Sequence, residues 1–262
     1  MARKQTYRLR YTNKLIEAGE EQPVRQERPR RAPVDPAMQL PYVEGKVILI
    51  DKPLHWTSFD AVKKLRGILQ IKKIGHAGTL DPLATGLLIV CTGKFTKKIN
   101  EYMAAEKEYT GSITLGAITP TYDLESLPEQ QRDYSFVTEA LLTETTKQFI
   151  GAIDQVPPIY SAIKKEGTAL YELARRGVDV ELKTRPINIA SFELTEIALP
   201  VVHFKVVCST GTYIRSLAHD FGAVLGCGAY LSSLRRTRIG EFSVTDAIDI
   251  SVLEKTFHPE TI

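Results

Sequence analysis

The longest uninterrupted apolar run in the chain is five residues, Leu87-Leu88-Ile89-Val90-Cys91. That is the length of one buried strand and far short of the roughly 20 residues a membrane-spanning helix needs. No membrane partner is expected. The chain has to build its core from short elements. With 262 residues, 43% of them hydrophobic and 25% charged, it holds enough apolar side chain for one or two domains. Collagen-like, coiled-coil and wholly disordered chains are excluded by the same composition.

The short elements can be read in order. Val47 to Ile50 has strand length and is ended by Asp51-Lys52-Pro53. Thr57-Ser58 offers a helix cap, and Phe59, Val62, Leu65 and Leu69 follow as one apolar stripe at helical spacing. A glycine-punctuated loop runs from Gly75 to Gly86. Leu87 to Cys91 and Tyr109 to Leu115 read as buried strands, and residues 120–132 as a polar loop. Thr138 to Ile150 is a helix candidate stopped by Gly151. A short helix is expected from Leu170 to near Gly177, with Arg175-Arg176 in its last turn. Val201 to Cys208 alternates like a strand, Ile214 to Phe221 repeats like a helix closing near Gly226, and Phe242 to Val244 suggests a last strand. Strands and helices mix without regular βαβ alternation, which favours an α+β fold with a mostly antiparallel sheet.

Charge is unevenly placed. Residues 1–43 carry nine Lys/Arg against five Asp/Glu, together with five of the 14 prolines, while the remainder is close to neutral. Without a sustained apolar period, residues 1–43 read as an extended or flexible basic arm, able to neutralise phosphates if the partner is a nucleic acid. The body is expected at 44–250, with 251–262 as a tail. No charged-then-apolar leader opens the chain, so a cytoplasmic location is expected. Cys91, Cys208 and Cys227 form no C-x-x-C pair, which argues against a disulfide framework or a zinc site and for small buried hydrophobes.

The most informative stretch is Gly75-His76-Ala77-Gly78-Thr79-Leu80-Asp81-Pro82-Leu83-Ala84-Thr85-Gly86-Leu87-Leu88. Its glycines permit close backbone approach or positive φ, and Pro82 stiffens the loop around Asp81. Asp before Pro is by itself a common turn former, and a lone His is more often structural than functional. Neither G-x-x-x-x-G-K-[ST] nor G-x-G-x-x-G is present, so the glycines do not spell a nucleotide cradle.

This loop closely resembles the signature loop of the TruB-type tRNA pseudouridine synthases. The resemblance extends from about Gly45 to Val244. It includes Asp51-Lys52-Pro53 with Thr57-Ser58, Lys107-Glu108-Tyr109 with Leu115-Gly116 and Thr119 to Asp123, Gln155 to Ile163 with Leu170-Tyr171-Glu172, Cys208 to Arg215, and Leu231 to Arg236. It implies the pseudouridine synthase fold, a mixed, mainly antiparallel central sheet flanked by helices, with the active site in a central cleft. It implies isomerisation of uridine 55 in the T-arm loop of tRNA, with no cofactor and no metal. Residues 155–185 resemble the family's RNA-gripping insertion. The C-terminal RNA-binding (PUA) domain common in the family is not expected within the 262 residues. A monomer is expected.

By the same resemblance, Asp81 is the catalytic aspartate, Arg215 its partner, and Tyr109 the aromatic residue against the target base. Tyr213 and Leu234 match pocket positions, Lys52 a supporting lysine, and His76 the ring that takes the space left by the flipped base. The chemistry suits these types. The N1–C1′ bond breaks, the base turns, C5 joins C1′, and only the C5 proton is lost, so no redox group is needed. A carboxylate with an ordinary pKa near ~3.9 is ionised at neutral pH. It can attack C1′, attack C6 or take a ribose proton, and a dry pocket helps each route. Phosphate contacts are expected among Lys63, Lys64, Lys72, Lys73, Lys97, Lys98, Lys164, Lys165, Arg175, Arg176, Arg235, Arg236 and Arg238. Three rivals remain: a non-catalytic tRNA-binding or tRNA-folding chaperone of the same fold, a guide-RNA-dependent relative, and a metal-dependent hydrolase built on His76, Asp81 and His219.

Overall fold

The computed structural model describes residues 32–259, apart from 162, 163, 166, 177 and 179–181. In chain order the elements are α1 (Pro36–Glu44), β1 (Val47–Lys52), α2 (Ser58–Leu69), β2 (Ile74–Ala77), β3 (Ala84–Thr92), α3 (Ile99–Ala104), β4 (Lys107–Leu115) and α4 (Glu139–Lys147). There follow β5 (Gly151–Gln155), β6 (Lys164–Lys165), β7 (Thr168–Ala169), α5 (Leu170–Arg175), β8 (Arg185–Ala198), β9 (Val201–Cys208), α6 (Ile214–Leu225), β10 (Ala229–Ile239), β11 (Phe242–Ser243) and α7 (Ile250–Phe257).

Among the described residues the main sheet runs β1-β3-β10-β4-β9-β8-β5, with β2 added to β3 and β11 to β10. Its ladders are antiparallel except for β3 and β10, which run parallel. This is the mixed, mainly antiparallel α+β architecture expected. The parallel register sets Leu234, Arg235 and Arg236 beside Ala84, Thr85 and Gly86. On its other side β10 sets Arg236 opposite Tyr109. Residues from three distant stretches of sequence thus meet where the signature loop enters the sheet.

The core has two main parts. Alternation on β9 turns Val202, Phe204, Val206 and Cys208 inward, where they meet the apolar stripe of α6, Leu217, Ala218 and Phe221. Phe149, Phe192, Phe204 and Phe221 pack mostly edge-on, with centroids 5.4 to 6.3 Å apart. Burying each ring contributes about 1.5–3 kcal/mol. Gly222 lets α6 approach β10, since a Cβ there would stand 2.1 Å from Ala229 N. The second part joins Val62, Leu65, Ile68 and Leu69 of α2 to Ile50, Leu88, Ile250 and Leu253. The three cysteines are free and buried, and no described helix is long and apolar enough to cross a membrane.

Several expectations need correction. Residues 36–44 are helical, although they read as part of a flexible arm. Asp35 caps the helix by accepting from Ala37 N at 2.8 Å, and Pro36 takes the first turn, where its missing N–H costs nothing. The helix is held from outside: Gln39 donates to the Leu69 and Gln70 carbonyls at the end of α2, and Tyr42 meets Phe257 edge-on. Residues 1–31 lie outside the described residues. At the other end, 251–257 belong to α7, whose Leu253 enters the core and whose Glu254 pairs with Lys64 at 2.6 Å. His258 closes this end, with Nε2 2.8 Å from the Ile68 carbonyl.

Phe59 leaves the expected stripe and is 62% exposed. Thr57 and Asp60 form a reciprocal capping box that turns Ser58 inward, so the next residue, about 100° round the helix, faces out. The helix expected over 138–150 ends at Lys147, and a turn then delivers Gly151, at φ +99°, into β5. The first residues of the glycine loop form β2, with His76 paired to Val90.

Candidate active site

Asp81 stands on a short connection between β2 and β3 that is fastened on both flanks. On one flank Ser58 Oγ accepts from Leu80 N at 2.8 Å and donates to the Leu80 carbonyl at 3.3 Å. His55 N donates to the Pro82 carbonyl at 2.8 Å. The turn carrying His55 is itself held by Lys52, whose Nζ donates to the carbonyls of Pro53 and Trp56 at 3.0 and 2.6 Å. On the other flank the fully buried Arg236 donates from Nε to the Leu87 carbonyl at 2.8 Å and from its terminal nitrogens to Gly78 and Thr79 at 3.2 and 3.5 Å. A buried guanidinium is tolerated here because its donors meet carbonyls in a fixed fork.

Arg215, in the first turn of α6, faces Asp81. Its Nε lies 2.9 Å from Asp81 Oδ2 and 3.6 Å from Asp123 Oδ2, while its terminal nitrogens donate to the carbonyls of Thr121 and Tyr160 at 3.1 and 3.0 Å. The Nε–H is aligned with neither oxygen, so the contact with Asp81 is an ion pair without a directed hydrogen bond. The arginine side chain is 6% exposed and that of Asp81 38%. The cation is thus buried and its carboxylate partner remains open to a ligand. Burial holds the Asp123 carboxyl above the usual aspartate range, against the opposing pull of Arg215 and of hydrogen bonds from Thr121 and Glu125 N.

Asp81 and Arg215 line a cleft of about 370 Å³ together with Tyr109, Tyr213, Leu234 and Lys107. That volume lies within the range of small-ligand sites. Burial raises the Tyr109 phenol above its ordinary pKa, although Arg236 beside it pulls the other way, so the hydroxyl keeps its proton at neutral pH. Burial likewise raises the phenol of Tyr213. Five of the seven site residues expected from the sequence therefore share one cleft. His76 and Lys52 are not on its wall. His76 sits half-buried on β2, where desolvation and then the charge of Arg236 lower its pKa and favour the neutral ring. Lys52 is fully buried, and desolvation brings it to about 8 despite the nearby Asp81 charge.

Sequence reasoning assigned no site role to Ser58, Lys107, Asp123 or Gln155, although each lies within a motif it named. Their signal is positional: each is a polar residue that the fold buries next to the loop or the cleft. Lys107 donates to the carbonyls of Met103 and Ala105, and burial brings its pKa to about 8. Four expected phosphate contacts are otherwise engaged, Lys64 among them through its pair with Glu254. Arg236 is buried, Arg235 makes two bonds to Asp51 at 3.0 and 2.6 Å, and Arg238 pairs with Glu106 at 2.9 Å. Lys63, Lys72, Lys73, Lys97, Lys98 and Arg176 are exposed. The side chains of Lys164, Lys165 and Arg175, and Gly177 near the expected helix end, lie outside the described residues. His219 stacks on Tyr122 with ring centroids 3.9 Å apart. Among the described residues no three His, Cys, Asp or Glu side chains form a metal-ligand group, so the trio of His76, Asp81 and His219 is not assembled.

A loop-mounted aspartate opposite a buried arginine, in a cleft at the middle of a mixed sheet, is the arrangement expected for a pseudouridine synthase. Residues 66–214 match the model for the TruB family pseudouridylate synthase (N terminal domain). Residues 215–261 match the tRNA pseudouridylate synthase B C-terminal domain. The chain belongs to the TruB family of pseudouridylate synthases. It is 56% identical over 222 residues to a protein of Flavobacterium johnsoniae named tRNA pseudouridine synthase B, a match covering 82% of this chain and 97% of that one. It is 49% identical over 209 residues to the protein of that name from Parabacteroides distasonis, covering 78% and 89%. Among solved structures it resembles a chain of a Cbf5-Nop10-Gar1 complex, with TM-score 0.66 and 32% identity. That likeness covers 84% of this chain but only 56% of the solved one.

Proposed function

We propose that this chain isomerises uridine 55 in the T-arm loop of tRNA to pseudouridine, with Asp81 as the catalytic residue. The observation that carries this reading is the pairing of Asp81 with Arg215. A half-exposed carboxylate faces a nucleoside-sized cleft, and its counter-charge is buried behind it. An uncompensated carboxylate in such a place is costly, and the buried arginine 2.9 Å away supplies the counter-charge and fixes the position of Asp81.

The bond between N1 and C1′ breaks, the uracil turns, C5 bonds to C1′, the C5 proton passes to solvent, and N1 takes up a proton in its place. Attack of Asp81 on C1′, attack on C6 and removal of a ribose proton all begin from the same carboxylate against the sugar and base. Tyr109 supplies an aromatic face and a protonated hydroxyl, while Leu234 and Tyr213 complete the walls. Withdrawing a stacked base from the T-loop costs a few kcal/mol. His76 recovers part of that cost by stacking in the vacated space; this role needs the shape and aromaticity of the ring rather than acid–base chemistry. Residues 155–185 contribute RNA contacts, on their resemblance to the family's RNA-gripping insertion. The form proposed is a monomer acting on tRNA in the cytoplasm.

The test is tritium release from C5-labelled uridine in unmodified tRNA. Release by wild type, loss in Asp81→Asn, and loss when the T-loop uridine is replaced are expected. Absence of release from a folded protein that still binds tRNA would overturn the catalytic reading in favour of a tRNA-binding or tRNA-folding protein.

A further inference from the structure

We propose that Gln155 is a positioning residue for the reaction, acting through the backbone of Tyr213. Gln155 is the last residue of β5 and is 3% exposed. Its Oε1 accepts from Tyr213 N at 2.8 Å, and its Nε2 donates to the Tyr213 carbonyl at 3.1 Å. One carboxamide thus grips both polar groups of a single residue, as a neighbouring strand would. Buried amides are seldom left unpaired, and two bonds to one residue fix its orientation as well as its place.

The residue so held is the critical one. Tyr213 is the N-cap position of α6, and its own side chain makes no cap bond. Its backbone is extended, at φ −98° and ψ 109°, so the chain changes direction there before the helix begins. Its side chain lines the cleft, and Arg215 follows two residues later. Helix α6 has a separate anchorage in the core, through Leu217 and Phe221. The carboxamide is therefore not needed to dock the helix; it sets the angle at which Tyr213 leaves it. Two neighbouring bonds tie the same segments together. Ser216 Oγ donates to the Val156 carbonyl at 2.8 Å, and Arg215 donates to that of Tyr160 at 3.0 Å. Neither touches the Tyr213 backbone. Its carbonyl also accepts from Leu217 N at 3.0 Å, the first bond of the helix, so Gln155 is the contact that fixes the Tyr213 N–H and ties this residue to β5.

This inference rests on the reading of Tyr213 as a wall of the substrate cleft. The test compares Gln155→Met, Tyr213→Ala and the double variant. It measures the single-turnover rate constant at saturating tRNA and, separately, tRNA affinity by filter binding. Methionine matches the length of glutamine and offers no amide. A side chain displaced by about 1 Å can cost on the order of 100-fold in rate. The expected result is a rate lowered about 10- to 100-fold in Gln155→Met, unchanged tRNA affinity, and a double variant no slower than Tyr213→Ala. Where Gln155→Met lowers the unfolding temperature, Gln155→Glu carries the same test. It keeps the acceptor for Tyr213 N and sets a carboxylate oxygen against the Tyr213 carbonyl, and it is expected to be as slow. A wild-type rate in both Gln155 variants, or a loss confined to tRNA affinity, would overturn the proposal. A slow Tyr213→Ala that Gln155→Met slows again by its full factor overturns this inference alone. Full activity in Tyr213→Ala overturns the cleft reading and this inference together.

Discussion

The carbonyl oxygen of Arg236 occupies the place a side chain on Gly86 would take: a Cβ there would stand 2.3 Å from it. Gly86 has φ +100°, a conformation closed to most L residues, and is the register partner of Arg236 across the parallel pair. The backbone of Arg236 thus acts at one end of the loop, while its side chain spans both ends. The first presses against Gly86, and the second holds Gly78, Thr79 and Leu87.

Gly86→Ala is accordingly expected to destabilise the protein by about 2–4 kcal/mol, from overpacking against backbone and from the positive φ together. Activity is expected to fall further than stability, because the strain enters the loop that carries Asp81. Urea unfolding checks the first statement. Single-turnover tritium release, at a temperature where the variant is fully folded, checks the second.

Asp220 gives a pH-dependent prediction. Burial pushes its carboxyl up to about 6, well above the value near ~3.9 of an unfolded chain. Between about pH 4 and pH 6 the folded state therefore binds more protons than the unfolded state, and this residue's contribution to stability falls as pH rises. Above pH 6 its cost is complete. Asp220→Asn removes that cost and should be more stable than wild type at pH 7.5, by about 1–2 kcal/mol once solvent screening is allowed for. At pH 4 the gain should disappear. Equal gains at both pH values would count against the burial account.

At His76 the prediction separates shape from acid–base chemistry. His76→Phe should retain most of the activity, since a neutral ring can stack where the base has left. His76→Ala should lose about 5- to 150-fold, the equivalent of one base stack. Equal losses in the two variants would reject stacking as the role of this residue.

The local elements are legible because each is bounded by strong chemistry. Val201 to Cys208 alternates cleanly, Ile214 to Leu225 is a stripe closed by Gly226, and both form as expected. The candidate site is legible for the same local reason: Asp81, Tyr109, Tyr213, Arg215 and Leu234 fall within compact motifs, and the fold brings them to one cleft. What the sequence hides is long-range. Helix α1 has no buried residue and a proline inside it, and it owes its place to Gln39 and to contacts with α2 and α7. Nothing local in Arg236 separates it from Arg235 beside it. One is buried against the loop and the other pairs with Asp51, because strand alternation sends them to opposite faces. Strand β8 is obscured because more than half of its residues face solvent, Arg185, Glu193 and Glu196 among them.

The parallel pairing of β3 with β10 also has a consequence in time. Arg236 reaches back 149 residues to the Leu87 carbonyl. Ribosomes deliver a chain from its N-terminus, so the loop bearing Asp81 leaves the exit tunnel long before the strand that braces it. Contacts of such sequence separation are slow to close, and domains tend to consolidate as whole units. A nascent or truncated chain that stops before β10 carries the aspartate without its brace, and it gains a working cleft only when synthesis is nearly complete.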